Sequence, residues 1–191
     1  MNAAQLLSTL LAEVYTDELK AAGWKRQGSS FRSVGSDGLG KIINFQRSRW
    51  STKEYIEFYI NYGLYIEAGD ALTNRSFKEY ECQFRERTTY ARGCYCIASG
   101  AALDAVKEQI MPAVAEARGF LDTVQMKEQL VRMLLDGSLQ RRTELRVLHY
   151  DTCRLLYEMG YGREVYDAVR STGGMLFDEL AREIEENVWG W

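Results

Sequence analysis

The chain has 191 residues, 46% hydrophobic and 12% aromatic, with one proline and a formal net charge of −3. That length and apolar content suffice for a buried core and exclude a disordered, linker-rich chain. No apolar run approaches the roughly 20 residues that span a bilayer, and the net negative charge gives no general affinity for nucleic acid.

The start, Met1-Asn2-Ala3-Ala4-Gln5, lacks the basic segment and cleavage site of a signal peptide, so a soluble cytoplasmic protein is expected, with no membrane partner. The charge is uneven: residues 24–92 hold 12 Lys+Arg against 8 Asp+Glu (+4), and the remainder 12 against 19 (−7). A bias of this size hints at an anionic partner and is also common on solvated surfaces.

Residues 3–22 predict an amphipathic helix through Leu6, Leu7, Leu10, Leu11, Val14 and Leu19, stopped at Gly23. Residues 24–28 and 30–34 alternate and predict one strand, or two short ones broken near Gly28. Gly35-Ser36-Asp37-Gly38-Leu39-Gly40-Lys41-Ile42 matches the spacing of a phosphate-binding loop, but Ile42 replaces the hydroxyl that would hold magnesium. A β-rich run follows instead of a helix, so the glycines predict a hairpin turn.

Lys41–Arg47 and Phe58–Tyr65 alternate apolar with polar and predict an antiparallel hairpin with a loop over 48–57. The pairing that sets apolar against apolar is Phe45 with Ile60 and Ile43 with Tyr62, which places Asn44 opposite Asn61 and Gln46 opposite Tyr59. One face then carries Ile43, Phe45, Phe58, Ile60, Tyr62 and Leu64, and the other two amides and a phenol. Asn44 and Asn61 are in position for a cross-strand amide ladder. Glu57 is placed at the end of the apolar side.

Residues 66–78 are polar and irregular. In Tyr80–Arg87 the alternation resumes, with Tyr80, Cys82 and Phe84 to one side and Glu81, Gln83, Arg85 and Arg87 to the other. Cys94–Ala98 adds a strand or leads into helices. Ser99 is expected to cap a helix reaching Arg118, kinked or restarted at Pro112. Asp122-x-x-Gln125 reads as a capping box for a helix to Asp136-Gly137. Ser138 is expected to cap a third helix to Met159, with Leu145, Leu148, Leu155 and Leu156 as its stripe. Helices over 163–172 and 175–188 follow, separated by Gly173-Gly174. The aromatics of the Trp189-Gly190-Trp191 tail are expected to pack back on the chain. The fold class is α+β: an antiparallel meander sheet of four to five strands packed on helices, with an α-helical C-terminal third. The expected division is a sheet domain over 1–118 and a helical extension over 119–191, packed as one unit.

Four runs carry a resemblance: Gly23-Trp24-Lys25-Arg26-Gln27-Gly28-Ser29-Ser30-Phe31-Arg32, Ile43-Asn44-Phe45-Gln46-Arg47-Ser48-Arg49-Trp50, Phe58-Tyr59-Ile60-Asn61-Tyr62-Gly63 and Cys82-Gln83-Phe84-Arg85-Glu86-Arg87. In this order they resemble domain-of-unknown-function family 4304, over residues from about 5 to 115. Trp24 departs from the family's usual Phe, and the helical C-terminal third extends beyond the family core. The resemblance implies an α+β fold with an antiparallel sheet and no known activity. Relatives that sit near bacterial toxin systems imply an immunity-like role.

The candidate site is the polar sheet face with its rim: Asn44, Gln46, Arg49, Trp50, Tyr59, Asn61, Arg85 and Arg87. Amides, a phenol and guanidiniums suit recognition of carboxylate, phosphate or backbone amides. The same face would also be polar simply because it is wet. Catalytic groups are sparse there, with Glu57 and Glu81 as the only nearby acids and no cysteine clearly on that side. The expected function is non-enzymatic binding of a protein partner, with no cofactor. One alternative is a small anionic ligand, phosphate or nucleotide, held at Arg47, Arg49, Lys53 and Trp50. Another is a thiol enzyme using Cys94, Cys96 or Cys153 with His149. The same four residues are the one candidate zinc set, although Cys94-x-Cys96 and His149-x-x-x-Cys153 fit no standard spacing and small buried thiols explain them as well. Oligomeric state is open, since a sheet edge can pair with a copy of itself.

Overall fold

The computed structural model describes residues 1–69, 72–88, 93–139 and 149–190. Six antiparallel strands form one sheet: β1 (Lys25–Gln27), β2 (Ser30–Val34), β3 (Gly40–Arg47), β4 (Tyr55–Tyr65), β5 (Phe84–Arg87) and β6 (Tyr95–Ala98). β1 to β5 are neighbours in order, and β6 returns to β4. β4 therefore has a divided edge. Tyr55–Phe58 pairs with β6, Asn61–Leu64 pairs with β5, and β3 runs along the other side. This pairing starts β4 at Tyr55, three residues before the expected Phe58, and shortens the loop after β3.

The β3–β4 register sets Ile43 with Tyr62, Asn44 with Asn61, Phe45 with Ile60 and Gln46 with Tyr59. The apolar side of this hairpin is buried throughout. A row of rings crosses four strands, from Phe31 to Phe45 to Phe58 to Tyr95, at centroid spacings of 5.8, 5.8 and 5.6 Å. Cross-strand aromatic contacts of this kind pin the register. β1 and β2 are two strands, because Gly28 at φ +63 turns the chain between them.

Helices α1 (Ala3–Val14) and α2 (Leu103–Asp122) lie against the buried side of the sheet. α1 opens with a capping box, Asn2 Oδ1 accepting from the Gln5 amide and Gln5 Oε1 from the Asn2 amide, both at 2.9 Å. It runs on into a π-helical turn, Tyr15–Leu19, and stops at Gly23 with φ +80. α2 begins four residues after Ser99, which caps nothing; Gly100 at φ +75 turns the chain first. Pro112 lies inside α2 without breaking it. Its ring is exposed, so water can take up the carbonyl that loses its partner.

Asp122 ends α2 and opens no helix; its carboxylate reaches Lys41 and Arg118. α3 (Lys127–Leu135) is capped from afar: Asp37 Oδ2, in the β2–β3 turn, accepts the Lys127 amide at 2.6 Å. The glycine-rich run thus ends in a strand and its acid serves a helix, as no phosphate loop does.

The C-terminal third holds α4 (Tyr150–Glu158), α5 (Gly162–Thr172) and α6 (Met175–Ile184), the last continued by a π-helical turn, Glu185–Trp189. The expected helix start at Ser138 and its Leu145 and Leu148 concern a stretch mostly outside the described residues, as is Trp191. Trp189 meets Tyr166 edge-on at 4.8 Å. Buried side chains from α1, the sheet, α2, α3 and the three C-terminal helices belong to one hydrophobic cluster. No helix among the described residues is long and apolar enough to cross a membrane.

The opposite side of the sheet is crossed by a strap, residues 66–69 and 72–83. It carries a small core of its own, Leu72 and Phe77 on Ile42, with Val34, Tyr65 and Cys82 packed around it. Phe77 stacks on Tyr65 at 4.5 Å with an interplanar angle of 8°. Two strand glycines give the strap its seats. A Cβ on Gly40 would lie 2.7 Å from Phe77, and one on Gly63 would lie 2.8 Å from Cys82 Sγ. Glu67 ties the start of the strap down, accepting from Tyr65 Oη (2.9 Å), Thr73 N (2.7 Å), Thr73 Oγ1 (2.7 Å) and Asn74 N (3.0 Å).

The strand expected over 80–87 is correspondingly shorter. Glu79–Glu81 is a turn of 3-10 helix and β5 starts at Phe84. Tyr80 is exposed, Cys82 sits on the strap side against Gly63, and only Phe84 joins the main core. The expectation that these three share a side is therefore wrong.

Candidate functional site

The strap leaves part of the open face uncovered beside β3, β4 and β5. Gln46, Tyr59, Asn61, Arg85 and Arg87 lie there, because Gln46 pairs with Tyr59, Asn61 with Arg87, and Arg85 with Gly63, and directly opposed residues share a face. Asn44 lies on the same face, one pair further along β3.

Four of these side chains lock together. Asn61 is 2% exposed. Its Nδ2 donates to Gln46 Oε1 at 2.8 Å, and its Oδ1 accepts Arg87 Nε at 2.8 Å. Arg87 Nη2 also donates to Gln46 Oε1 at 3.3 Å. The Arg87 guanidinium lies 4.0 Å from the centroid of Tyr59, a cation–π contact that fixes its plane. The expected Asn44–Asn61 ladder does not form. Asn44 Nδ2 donates to Ser30 Oγ at 2.8 Å, while Asn61 turns to Gln46. Among the described residues Arg85 makes no hydrogen bond or ion pair, and it is exposed.

Gln46, Asn61, Arg85 and Arg87 line a wide, shallow cleft of about 450 Å³, completed by Glu79, Tyr80 and the chain at Glu86. Tyr80 is 66% exposed. Two guanidiniums thus share the cleft with the Glu79 carboxylate, amides and a phenol, while Glu86 pairs with Tyr62 and so projects to the other face. Arg49 and Trp50 stand apart at the hairpin tip, stacked on each other at 4.9 Å with Trp50 72% exposed. Arg47 is spent on Thr52 O at 2.9 Å. The loop set Arg47, Arg49, Lys53 and Trp50 therefore does not line the cleft.

Glu57 corrects the expected assignment to the apolar side. It alternates with the buried Ile56 and Phe58, pairs with Cys96, and so faces the open side. A cysteine does lie on that side. Glu57, Cys94 and Cys96 bring one ligand atom each within 4.8 Å of one another. His149 and Cys153 are not in that group; Cys153 is fully buried in α4. Two thiolates and a carboxylate could serve as three ligands of a zinc-like ion, with a fourth position open.

Three of the thiols, Cys82, Cys94 and Cys153, are shifted away from nucleophilic character. Burial pushes Cys153 up to about 11 and raises Cys82 further. Burial and the neighbouring Cys96 raise Cys94. An activated thiol shifts the other way. Tyr55, hydrogen-bonded to Cys96, is likewise pushed up to about 12.

The strap is the part that sequence reasoning missed. The available signal was Gly40 and Gly63 in mid-strand on the open face, where a glycine marks close approach of another segment.

Comparison with known proteins adds one finding. A family model described as a domain of unknown function (DUF4304) matches residues 15–134. No curated protein and no solved structure matches the chain.

Proposed function

The chain belongs to the DUF4304 family, whose description assigns no activity; from that premise and the geometry, we propose that it is a binding module that engages a protein partner through the open face of its sheet. The observation that carries this reading is Arg85. It is an exposed guanidinium without a partner among the described residues, beside a guanidinium already fixed by Asn61, Gln46 and Tyr59. A rigid planar donor array with an exposed tyrosine at its edge is the composition of an interface centre. Glu79 adds a carboxylate beside the two guanidiniums of the cleft, and this mixed lining suits the surface of a protein better than a small anion. The partner segment is expected to place a carboxylate on Arg85. The immunity-like role implied by the family resemblance would make that partner a toxin.

The test is crosslinking capture from native lysate with the intact chain, with Arg85→Ala and Arg85→Glu, and with Arg163→Ala as a charge control in α5. The reading expects a defined protein lost from both Arg85 variants and kept by the control. The same proteins recovered by all four chains would end it.

A further inference from the structure

The strap divides the open face, and the depression on its other side is chemically different. About 410 Å³ lies between the β1–β2 hairpin and the strap, lined by Lys25, Arg26, Gln27, Arg32, Arg75 and Ser76. Three cations line it, Lys25 and Arg32 from one face of the hairpin and Arg75 from the strap, and no carboxylate does among the described residues, while Arg26 pairs with Phe31 and so projects from the other face, in a chain whose net charge is −3. General basicity does not explain this concentration.

Arg32 is the fixed point. It is 5% exposed. Its Nε donates to Phe77 O at 2.7 Å and its Nη1 to Gln27 Oε1 at 3.2 Å. Phe77 also lies 5.6 Å from the guanidinium carbon, so one strap residue holds the head from two directions. Among the described residues no carboxylate pairs with Arg32, and its Nη2 makes no hydrogen bond. Burial lowers its pKa, with Cys82 and Glu81 as the charges that act against this. A buried guanidinium without a directly paired carboxylate is costly, and an anion in the pocket would supply the pair. The side chains of Lys25 and Arg75 are exposed at the mouth with no hydrogen bond or ion pair among the described residues, and Arg26 Nε is turned to Gly28 O at 3.1 Å.

We propose that this pocket binds a small anion carrying two phosphoryl groups and no aromatic group. Guanidiniums match phosphate oxygens two at a time, and a single phosphoryl group with about −1.5 to −2 charge would leave at least one of the three cations unmatched. Among the described residues Val34 is the one apolar side chain in the lining and no ring lines it, so a nucleobase would find no stacking surface there. The volume lies within the usual range for small-molecule sites, roughly 300–1,000 Å³.

The test is calorimetric titration of the full chain at fixed ionic strength with inorganic diphosphate, orthophosphate and ADP. Diphosphate is expected to bind with one site per chain, at least tenfold tighter than orthophosphate and no weaker than ADP. Arg75→Ala and Lys25→Ala, both surface changes, are each expected to weaken it fivefold or more, while Arg163→Ala leaves it unchanged. Arg32→Lys, which keeps the charge and loses the two-point anchoring, is expected to weaken it tenfold. No diphosphate heat, equal affinity for orthophosphate, tighter binding of ADP, or undiminished binding by the Arg75 and Lys25 variants would each overturn the proposal. None of these outcomes bears on the Arg85 surface.

Discussion

The ring of Phe77 occupies the place where a side chain on Gly40 would begin: a Cβ there would lie 2.7 Å from Cζ and 2.8 Å from Cε1. Phe77 is fully buried, between Tyr65 and Ile42, so the ring cannot swing away without opening the small core. Gly40→Ala is therefore expected to cost about 1–3 kcal/mol, the range for overpacking. This exceeds the small gain expected from replacing a strand glycine. Denaturant unfolding measures it. In a Phe77→Ala background the same change should cost far less, because the obstacle is gone. An equal cost in both backgrounds would mean that the strap does not sit on Gly40.

Asn61 is the hinge of the polar network. Truncation to Ala removes the donor to Gln46 and the acceptor of Arg87 Nε at once. Expected destabilisation is about 1–3 kcal/mol, since groups near a buried position lose their partners. Arg85→Ala, at an exposed residue without a partner among the described ones, should stay within about 0.5 kcal/mol. Thermal unfolding of the two variants side by side separates scaffold from surface. Similar small losses in both would show that the network is not structural.

The faces of the hairpin are legible because a slip of one residue would expose Ile43, Phe45, Phe58, Ile60 and Tyr62, and the register follows from setting Phe45 against Ile60 and Ile43 against Tyr62. The same parity argument, applied to Glu57, puts its side chain on the other face from Phe58, with Cys96. The failures beyond this have tertiary causes. A 3-10 turn at Glu79–Glu81 leaves Tyr80, Cys82 and Phe84 with strand-like spacing, and nothing local distinguishes it from a strand. The cap of α3 comes from Asp37, 90 positions away, so the local Asp122–Gln125 pattern misled. The basic pocket joins Lys25 and Arg32 to Arg75 through the strap, a proximity that no spacing in the chain encodes.

Thiol reactivity follows from burial and, for the half-buried Cys82, from a raised thiol packed against Gly63. Cys153 is fully buried and pushed up to about 11, and Cys82 is raised further. Neither should react with iodoacetamide at neutral pH in the folded chain. Cys94 and Cys96 are half-buried and should react, more slowly than a free thiol because Cys94 is also raised. Intact-mass spectra are expected to plateau at two adducts in the native protein and four after denaturation. Rapid labelling of Cys153 in the native chain would contradict its position in the core.

Glu67 makes the seating of the strap depend on pH. Burial alone would raise its pKa, but hydrogen bonds from Thr73, Asn74 and Tyr65 outweigh that and hold it below the ordinary value of 4.5. A carboxyl lowered on folding contributes stability above its unfolded value, and that contribution fades as pH falls through the folded one. The wild-type chain should thus exceed Glu67→Gln in stability at pH 7, and the gap should close between about pH 5 and pH 3. Amide exchange at Thr73 and Asn74, which donate to this carboxylate, should quicken over the same interval in the wild type and be fast throughout in the variant. A gap that stays constant down to pH 3 would show that the carboxylate charge is not what holds the strap.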